Sequence, residues 1–315
     1  MGYRVKVADS VQQVARADGG SARLEVLELL EIADPRTIGP TAVRQQHLRR
    51  DDIGRWDRVE VDTIDGDTIP CFLITPDDHA GLDVIAVHQH AGAFNLGKSE
   101  PAGLAGDPSL AYGLALVRAG ARVILPDLVG FEERQRRWSG DAGADERLDA
   151  LFRVTNGSSL QAKHTRDIAA VTTWLQEAGP SSEQLGIIGH SLGGQVALFS
   201  LAVDPRISRG VVSCGLGTLA SFEAARINHN PAWFVPRLRA SGDVAMVVSA
   251  VDQPVFVAAG RRDRLFPLDG VQEVLDAFRP GLLTAELFED GHAMPAHVLE
   301  AAIRHLLSTG ADSSR

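Results

Sequence analysis

Residues 185–188, Leu-Gly-Ile-Ile, run directly into Gly189-His190-Ser191-Leu192-Gly193-Gly194, and an apolar helical stretch follows from Gln195. A short strand, a glycine-flanked corner and a helix form the context in which G-x-S-x-G lifts a serine onto a sharp turn. The glycines have a steric reason. A side chain at 189 or 193 would collide with the neighbouring strand or helix, while the corner itself strains the serine backbone. The turn also aims Ser191 at a helix N-terminus, where unpaired N–H groups and the dipole favour negative charge. Ser191 is therefore the candidate nucleophile, and the N–H of Leu192 a candidate oxyanion donor.

Outward from this corner, short apolar runs at 84–87, 123–125, 185–188, 211–213 and 255–258 alternate with helical segments. The clearest helices are expected at 110–118, 168–178, 192–203, 271–278 and 296–307. Continuous rather than alternating apolar strands, each followed by a helix, predict an α/β fold with a mostly parallel central sheet and helices on both faces. Before it, Val59, Val61 and Thr63 alternate with polar residues, Asp65-Gly66-Asp67 supplies a turn, and residues 69–74 return as a second strand. That is a hairpin. Residues 9–50 read as helical, with Leu24, Leu27 and Leu30 on one apolar face and Pro35 and Pro40 as breaks.

The expected organisation is an N-terminal helical extension over 1–55, one domain over 56–307, and a flexible tail over 308–315. Residues 131–160 and 215–251 break the strand–helix rhythm just after strand ends, so both are candidate lids over a site. The chain has 315 residues, 44% of them hydrophobic, enough for a large core without disulfides or metal. Its 31 basic and 41 acidic residues give a net charge of -10, against nucleic-acid binding. No apolar run approaches the roughly 18 residues of a membrane span, and the first residues lack the apolar stretch of a secretory signal. Cys71 and Cys214 sit in apolar runs and read as buried free thiols. These readings predict a cytoplasmic location.

A serine is inert near neutral pH without a base. The partners should follow in the order serine, carboxylate, histidine. The strand at 255–258 leads to Gly260-Arg261-Arg262-Asp263, and Leu283–Phe288 leads to Glu289-Asp290-Gly291-His292. Asp263 and His292 thus lie just past strand carboxyl ends, where such sheets carry their chemistry. Asp269 reads as a helix start and Asp290 neighbours the histidine, so both are weaker candidates.

With these residues in place, the chain resembles the serine α/β-hydrolases over about 59–307. Within them it is similar to the dienelactone-hydrolase and acetyl-xylan-esterase-like branch, on the Gly-His-Ser-Leu-Gly-Gly corner, the Asp263 loop with Phe266-Pro267 and the Gly291-His292 pair. Dienelactone hydrolases proper use a cysteine nucleophile, and this chain has Ser191. Dehalogenases and epoxide hydrolases of this fold carry an aspartate there. The resemblance implies a triad of Ser191, His292 and Asp263.

The strand at 84–87 enters His88-Gln89-His90-Ala91-Gly92-Ala93-Phe94. Relatives often have His-Gly here and draw the second oxyanion N–H from this loop; Gln89 stands at the glycine position, leaving His90 first and Ala91 second as donors. His88-x-His90 is also a half-ligand pattern for metal, but no supporting ligand follows at a suitable spacing, so no metal is expected and His88 reads as an interior residue steadying the loop. Gly97-Lys98-Ser99-Glu100-Pro101 reads as a surface turn with a local ion pair, or as part of the mouth, and Asp127 as a structural acceptor. Arg134, Arg136, Arg137 and Trp138 form a basic run that is either solvated surface or, facing the site, a reader of anionic groups. Trp138, His229 and Trp233 are the candidate substrate contacts from the two lids.

The expected activity is hydrolysis of a small carboxylic ester, as a carboxylesterase or deacetylase, with no cofactor. A peptidase, amide hydrolase or lactonase is the alternative within the class. A ligand-binding scaffold without turnover is the alternative outside it, disfavoured because all three triad residues are present. The expected partner is a small-molecule ester, with neither nucleic acid nor membrane involved. The N-terminal helices, expected outside the core, offer a surface for a sheet edge or a second copy in a homodimer.

Overall fold

A computed structural model describes residues 19–178 and 184–308. Nine strands form one sheet, interleaved with helices: α1 Gly19–Leu29, β1 Ala42–Asp51, β2 Gly54–Asp62, β3 Thr68–Thr75, β4 Leu82–Val87, α2 Tyr112–Arg118 and β5 Arg122–Pro126. The chain continues through α3 Ala142–Thr155, α4 Leu160–Glu177, β6 Gln184–His190, α5 Leu192–Val203, β7 Arg209–Ser213, α6 Leu219–Ala224 and α7 Asp243–Ser249. It closes with β8 Val255–Gly260, α8 Leu268–Asp276, β9 Leu283–Phe288 and α9 Ala296–Leu307. The sheet order is β1-β2-β3-β5-β4-β6-β7-β8-β9. From β5 to β9 every pairing is parallel, and β1, β2 and β3 join it antiparallel.

Strands β4, β5, β7 and β8 are buried at every position, which explains their unbroken apolar runs. One face of the sheet is covered by a core that includes α1, α4, α5, α7 and α8. The other lies under α2 and α9. Between β4 and β6 the strand order reverses: the chain leaves β4 for β5 on one side and returns to β6 on the other. Open parallel sheets of this kind bind ligands at such a switch point, beyond the strand carboxyl ends. The loops there begin at His88 and Ser191.

Three expectations about organisation are corrected. Residues 42–51, read as part of a helical extension, form edge strand β1 and pair with β2 from Ala42↔Asp62 to Asp51↔Gly54. The strand is almost wholly exposed, so it lacks the apolar alternation that identifies a half-buried strand. Helix α1 is not outside the core: Ala22, Val26, Leu29 and Leu30 pack into it, against α5 and α7, while Leu24 faces water. A stripe at i, i+4, i+7 and i+8 fits a 3.6-residue turn better than the Leu24–Leu27–Leu30 series. The segment 215–251 is only partly a cover, because α7 is buried along its whole length and belongs to the core.

The remaining start of the helical region, residues 9–18, and most of the expected tail, 309–315, lie outside the described residues. Cys71 and Cys214 are buried and free. No described helix is long and apolar enough to cross a membrane.

Candidate active site

Ser191 stands at the corner between β6 and α5 with φ 56° and ψ -118°. That left-handed backbone is costly for any residue with a Cβ and persists only when its surroundings hold it. Here the Ser191 N–H donates to the Ser213 carbonyl at 2.8 Å, and Ser191 O accepts from Gln195 N at 3.0 Å. The flanking glycines are obligatory on contact grounds. A Cβ on Gly189 would land on the Gly193 backbone, and one on Gly193 on the Val87 carbonyl oxygen. The N–H of Leu192, first residue of α5, is among those a helix leaves without an internal partner.

His292 Nδ1 lies 2.7 Å from Asp263 Oδ2. The other carboxylate oxygen, Oδ1, accepts from the Leu265 and Phe266 amides at 2.8 and 3.3 Å. Burial pushes the Asp263 carboxyl upward, but the His292 hydrogen bond and charge and the two amides outweigh it and hold the group below the usual carboxylate range. The His292 ring stacks on Phe266, centroids 5.6 Å apart at 10°. It also lies 4.8 Å from the His190 ring, whose Nδ1 is 3.0 Å from Ser213 Oγ. Burial and the adjacent His292 push His190 down to about 3. A neutral imidazole therefore backs the pair. Ser191 and His292 open into one cleft of about 600 Å³.

The loop after β4 forms one wall of that cleft through Gln89, His90, Ala91, Gly92 and Phe94. Ala91 and Gly92 both have positive φ, 47° and 67°, so the chain turns tightly and closes with Ala93 N donating to His90 O at 3.0 Å. His88 Nε2 accepts from the Leu128 amide at 3.0 Å, so its Nδ1–H donates to Gln89 O at 2.7 Å. Burial pushes His88 down to about 4, consistent with that neutral tautomer. It is an interior histidine tying the loop to β5's end.

His90 does something no sequence motif announces. Its Nδ1 accepts from Gly92 N at 2.9 Å, and its Nε2 reaches both carboxylate oxygens of Glu146 at 3.0 Å. Glu146 lies on α3, inside the first excursion, and also lines the cleft.

The two excursions meet over the site: α3 touches the short 3-10 turn Pro231–Trp233. From the first, Glu146, Ala150, Leu151 and Val154 face the cleft, and from the second Asn228, His229 and Phe234 do. The three expected substrate contacts divide. His229 lines the cleft, its Nε2–H donating to Leu265 O at 2.6 Å, and burial pushes it down to about 4. Trp233 does not line it; the indole is buried against Phe222 and Phe266 in the excursion's own aromatic cluster. Trp138 is also outside, exposed and beneath the Arg136 guanidinium, 5.5 Å from its ring centroid.

Two polar readings are corrected by burial. Lys98 is 0% exposed, neither surface nor mouth, because Nζ reaches Asp127 and Glu132 at 2.7 Å and Glu133 at 2.6 Å. The partners lie 29 to 35 residues downstream, too far for a local ion pair to be read from the turn. The ammonium fills the space between carboxylates that would otherwise suit a cation. Asp127 Oδ1 accepts the Lys98 amide at 2.7 Å, a structural acceptor. Arg134, first of the basic run, is buried between Asp167 at 2.8 Å and Asp67 at 3.3 Å and faces no ligand space. Cys214 is the third member of a second cluster with Asp263 and His292. Burial pushes its thiol up to about 12, so it is protonated there and a poor metal ligand.

A family model described as alpha/beta hydrolase fold matches residues 101–249, spanning the serine corner, the first excursion and most of the second. Solved structures match far more of the chain. Acetyl Xylan Esterase 1 from Thermoanaerobacterium sp. JW/SL YS485 aligns with a TM-score of 0.64 over 94% of this chain and 97% of its own, at 14% identity. The chain has the α/β-hydrolase fold. An acetyl xylan esterase from Paenibacillus sp. R4 gives a TM-score of 0.64 at 15% identity, covering 92% of this chain and 94% of its own. Among curated proteins, YtaP of Bacillus subtilis (strain 168), named as a hydrolase, is 25% identical over 248 residues, 75% of this chain and 80% of that one. Within the α/β-hydrolase fold, the corner after β6, the loop after β8 and the loop after β9 are the three positions that bring Ser191, Asp263 and His292 to one end of the sheet.

Proposed function

We infer that the chain hydrolyses a carboxylic ester through an acyl-enzyme on Ser191. The observation that carries this reading is a strained serine corner and a carboxylate-held histidine opening into the same cleft. Asp263 fixes the Nδ1–H tautomer of His292, which leaves Nε2 free to take the Ser191 proton as Oγ attacks the ester carbonyl. The tetrahedral oxyanion is met by the Leu192 N–H and by an N–H of His90 or Ala91. His292 then returns the proton to the departing alkoxide oxygen. Water, deprotonated by the same imidazole, attacks the acyl-enzyme and regenerates the serine. Asp263 stays ionised throughout and stabilises the imidazolium.

The esterases among the structural neighbours, two acetyl xylan esterases included, support ester cleavage. The test is turnover of p-nitrophenyl esters together with labelling by a fluorophosphonate probe, in the native chain and in Ser191→Ala. Turnover and labelling that both vanish in the variant support the reading. An unlabelled native chain that turns over no ester sinks it.

A further inference from the structure

We propose that the substrate is a hydrophobic ester whose apolar acyl or alkyl group is much larger than acetyl, held by a rim of exposed apolar side chains around the cleft. The inference rests on the ester-hydrolase reading and names its substrate class. Four of the eleven exposed large apolar side chains among the described residues line the cleft that holds Ser191: Leu151 at 62%, Phe234 at 60%, Val154 at 43% and Leu265 at 40%. Scattered exposed apolar residues are ordinary, but a converging set marks a surface that something covers. These four come from three separate parts of the chain, α3, the second excursion and the Asp263 loop.

Phe94 and the buried Leu160 add to the apolar lining of the same cleft. About 600 Å³ is the scale of sites that enclose a drug-sized ligand, and an acetyl group would leave most of it filled with water against apolar walls. No tryptophan lines the cleft, so the flat indole faces on which a sugar ring could stack are absent among its lining residues. Most of the polar groups that face it are committed, Gln89 to Glu100, His90 to Glu146, His229 to Leu265 O and His292 to Asp263, while Arg147 and Asn228 also line it. The apolar group is thus the one the cleft rewards, since each buried methylene is worth roughly a fourfold gain in affinity.

The experiment measures kcat/KM for p-nitrophenyl acetate, butyrate and octanoate, for ethyl and octyl acetate, and for an acetylated xylo-oligosaccharide. Each is run on the native chain, Leu151→Ala, Phe234→Ala and, as a remote control, Leu48→Ala, with fluorophosphonate labelling of Ser191 in parallel. The expected result is a rise of about 50-fold from p-nitrophenyl acetate to octanoate, the worth of about three buried methylenes of the six added, or from ethyl to octyl acetate, the two pairs telling acyl from alcohol occupancy, with the sugar acetate slower than octyl acetate. Leu151→Ala and Phe234→Ala should each lower the octanoate-to-acetate ratio by about 3- to 10-fold, and Leu48→Ala should leave that ratio unchanged. A labelled enzyme that prefers acetate or the sugar acetate overturns the inference and leaves ester hydrolysis standing. A ratio unmoved by either cleft variant also overturns it. Neither labelling nor turnover removes the ester-hydrolase reading and this inference with it.

Discussion

Glu146 on α3 holds His90 on the loop after β4 through two 3.0 Å approaches to the same ring nitrogen, so the first excursion is fastened to a loop that lines the same cleft as Ser191. The other ring nitrogen is already occupied by Gly92 N, which fixes the tautomer and makes His90 the donor to Glu146. Two consecutive left-handed residues, Ala91 and Gly92, give that loop a strained path that needs an external anchor.

Removing the anchor should therefore act on turnover more than on binding. Glu146→Ala should lower kcat for a p-nitrophenyl ester by about tenfold or more, the scale of one hydrogen bond to a charged group, with KM within about threefold. Glu146→Gln, which keeps an acceptor, should recover most of the loss. Steady-state kinetics beside a thermal melt check this. An equal loss in both variants, tracking a lower Tm, would instead mean that Glu146 only supports α3.

Asp263→Asn should keep the fold and lose about 10⁴ in kcat, because an amide in place of Oδ2 stabilises the wrong imidazole tautomer. Fluorophosphonate labelling should slow in parallel. Retention of a tenth of the native rate would move the orienting role to another carboxylate.

Gly193→Ala should not yield folded protein at ordinary temperature, since its Cβ would sit on the Val87 carbonyl oxygen in a part of the sheet with no room to shift. Gly66→Ala, in the hairpin turn, meets nothing within 4 Å and strains only its φ of 82°, so it should cost about 1 kcal/mol. Urea unfolding of the two variants makes the comparison.

Lys98→Met should destabilise the protein by about 3–5 kcal/mol, because it strands Asp127 and Glu132 around a site that no longer carries charge. The expected signature is a lower urea midpoint at neutral pH.

Stability should fall as the solution is acidified from about pH 6.5 to 4. Burial holds His88 and His229 down at about 4 and His190 at about 3, whereas the unfolded chain takes up protons near 6.5. Across that window the unfolded state binds more protons, so the stability present above pH 6.5 is lost as pH drops toward the folded values. Tm measured against pH should show the slope, and His229→Asn should flatten it. A Tm independent of pH between 6.5 and 4 would falsify the neutral assignment.

Much of this was legible in one dimension. The parallel strands are buried on both faces, so each appeared as a continuous apolar run, and α5 and α9 were found at their observed bounds, Leu192–Val203 and Ala296–Leu307. The β2–β3 hairpin was visible because one face of each strand packs and an Asp-Gly turn joins them. Strand β1 was not visible. Its ten residues are nearly all exposed, and its ladder to β2 is made by backbone groups that carry no composition signal.

The serine corner could be read locally because its strain demands glycines within two residues on either side. Asp263 and His292 could be placed because strand ends are where a parallel sheet exposes its loops. The Glu146–His90 contact and the buried Lys98 cluster join residues 29 to 56 positions apart, and only packing brings them together. Tertiary structure likewise decided that Trp138 faces water, that Trp233 is packed away and that Leu151 and Phe234 face the cleft. Sequence set the periodicities and the strained turns, which depend on neighbours along the chain. The cleft's lining depends on which sides of two separate excursions meet, and no local pattern encodes that.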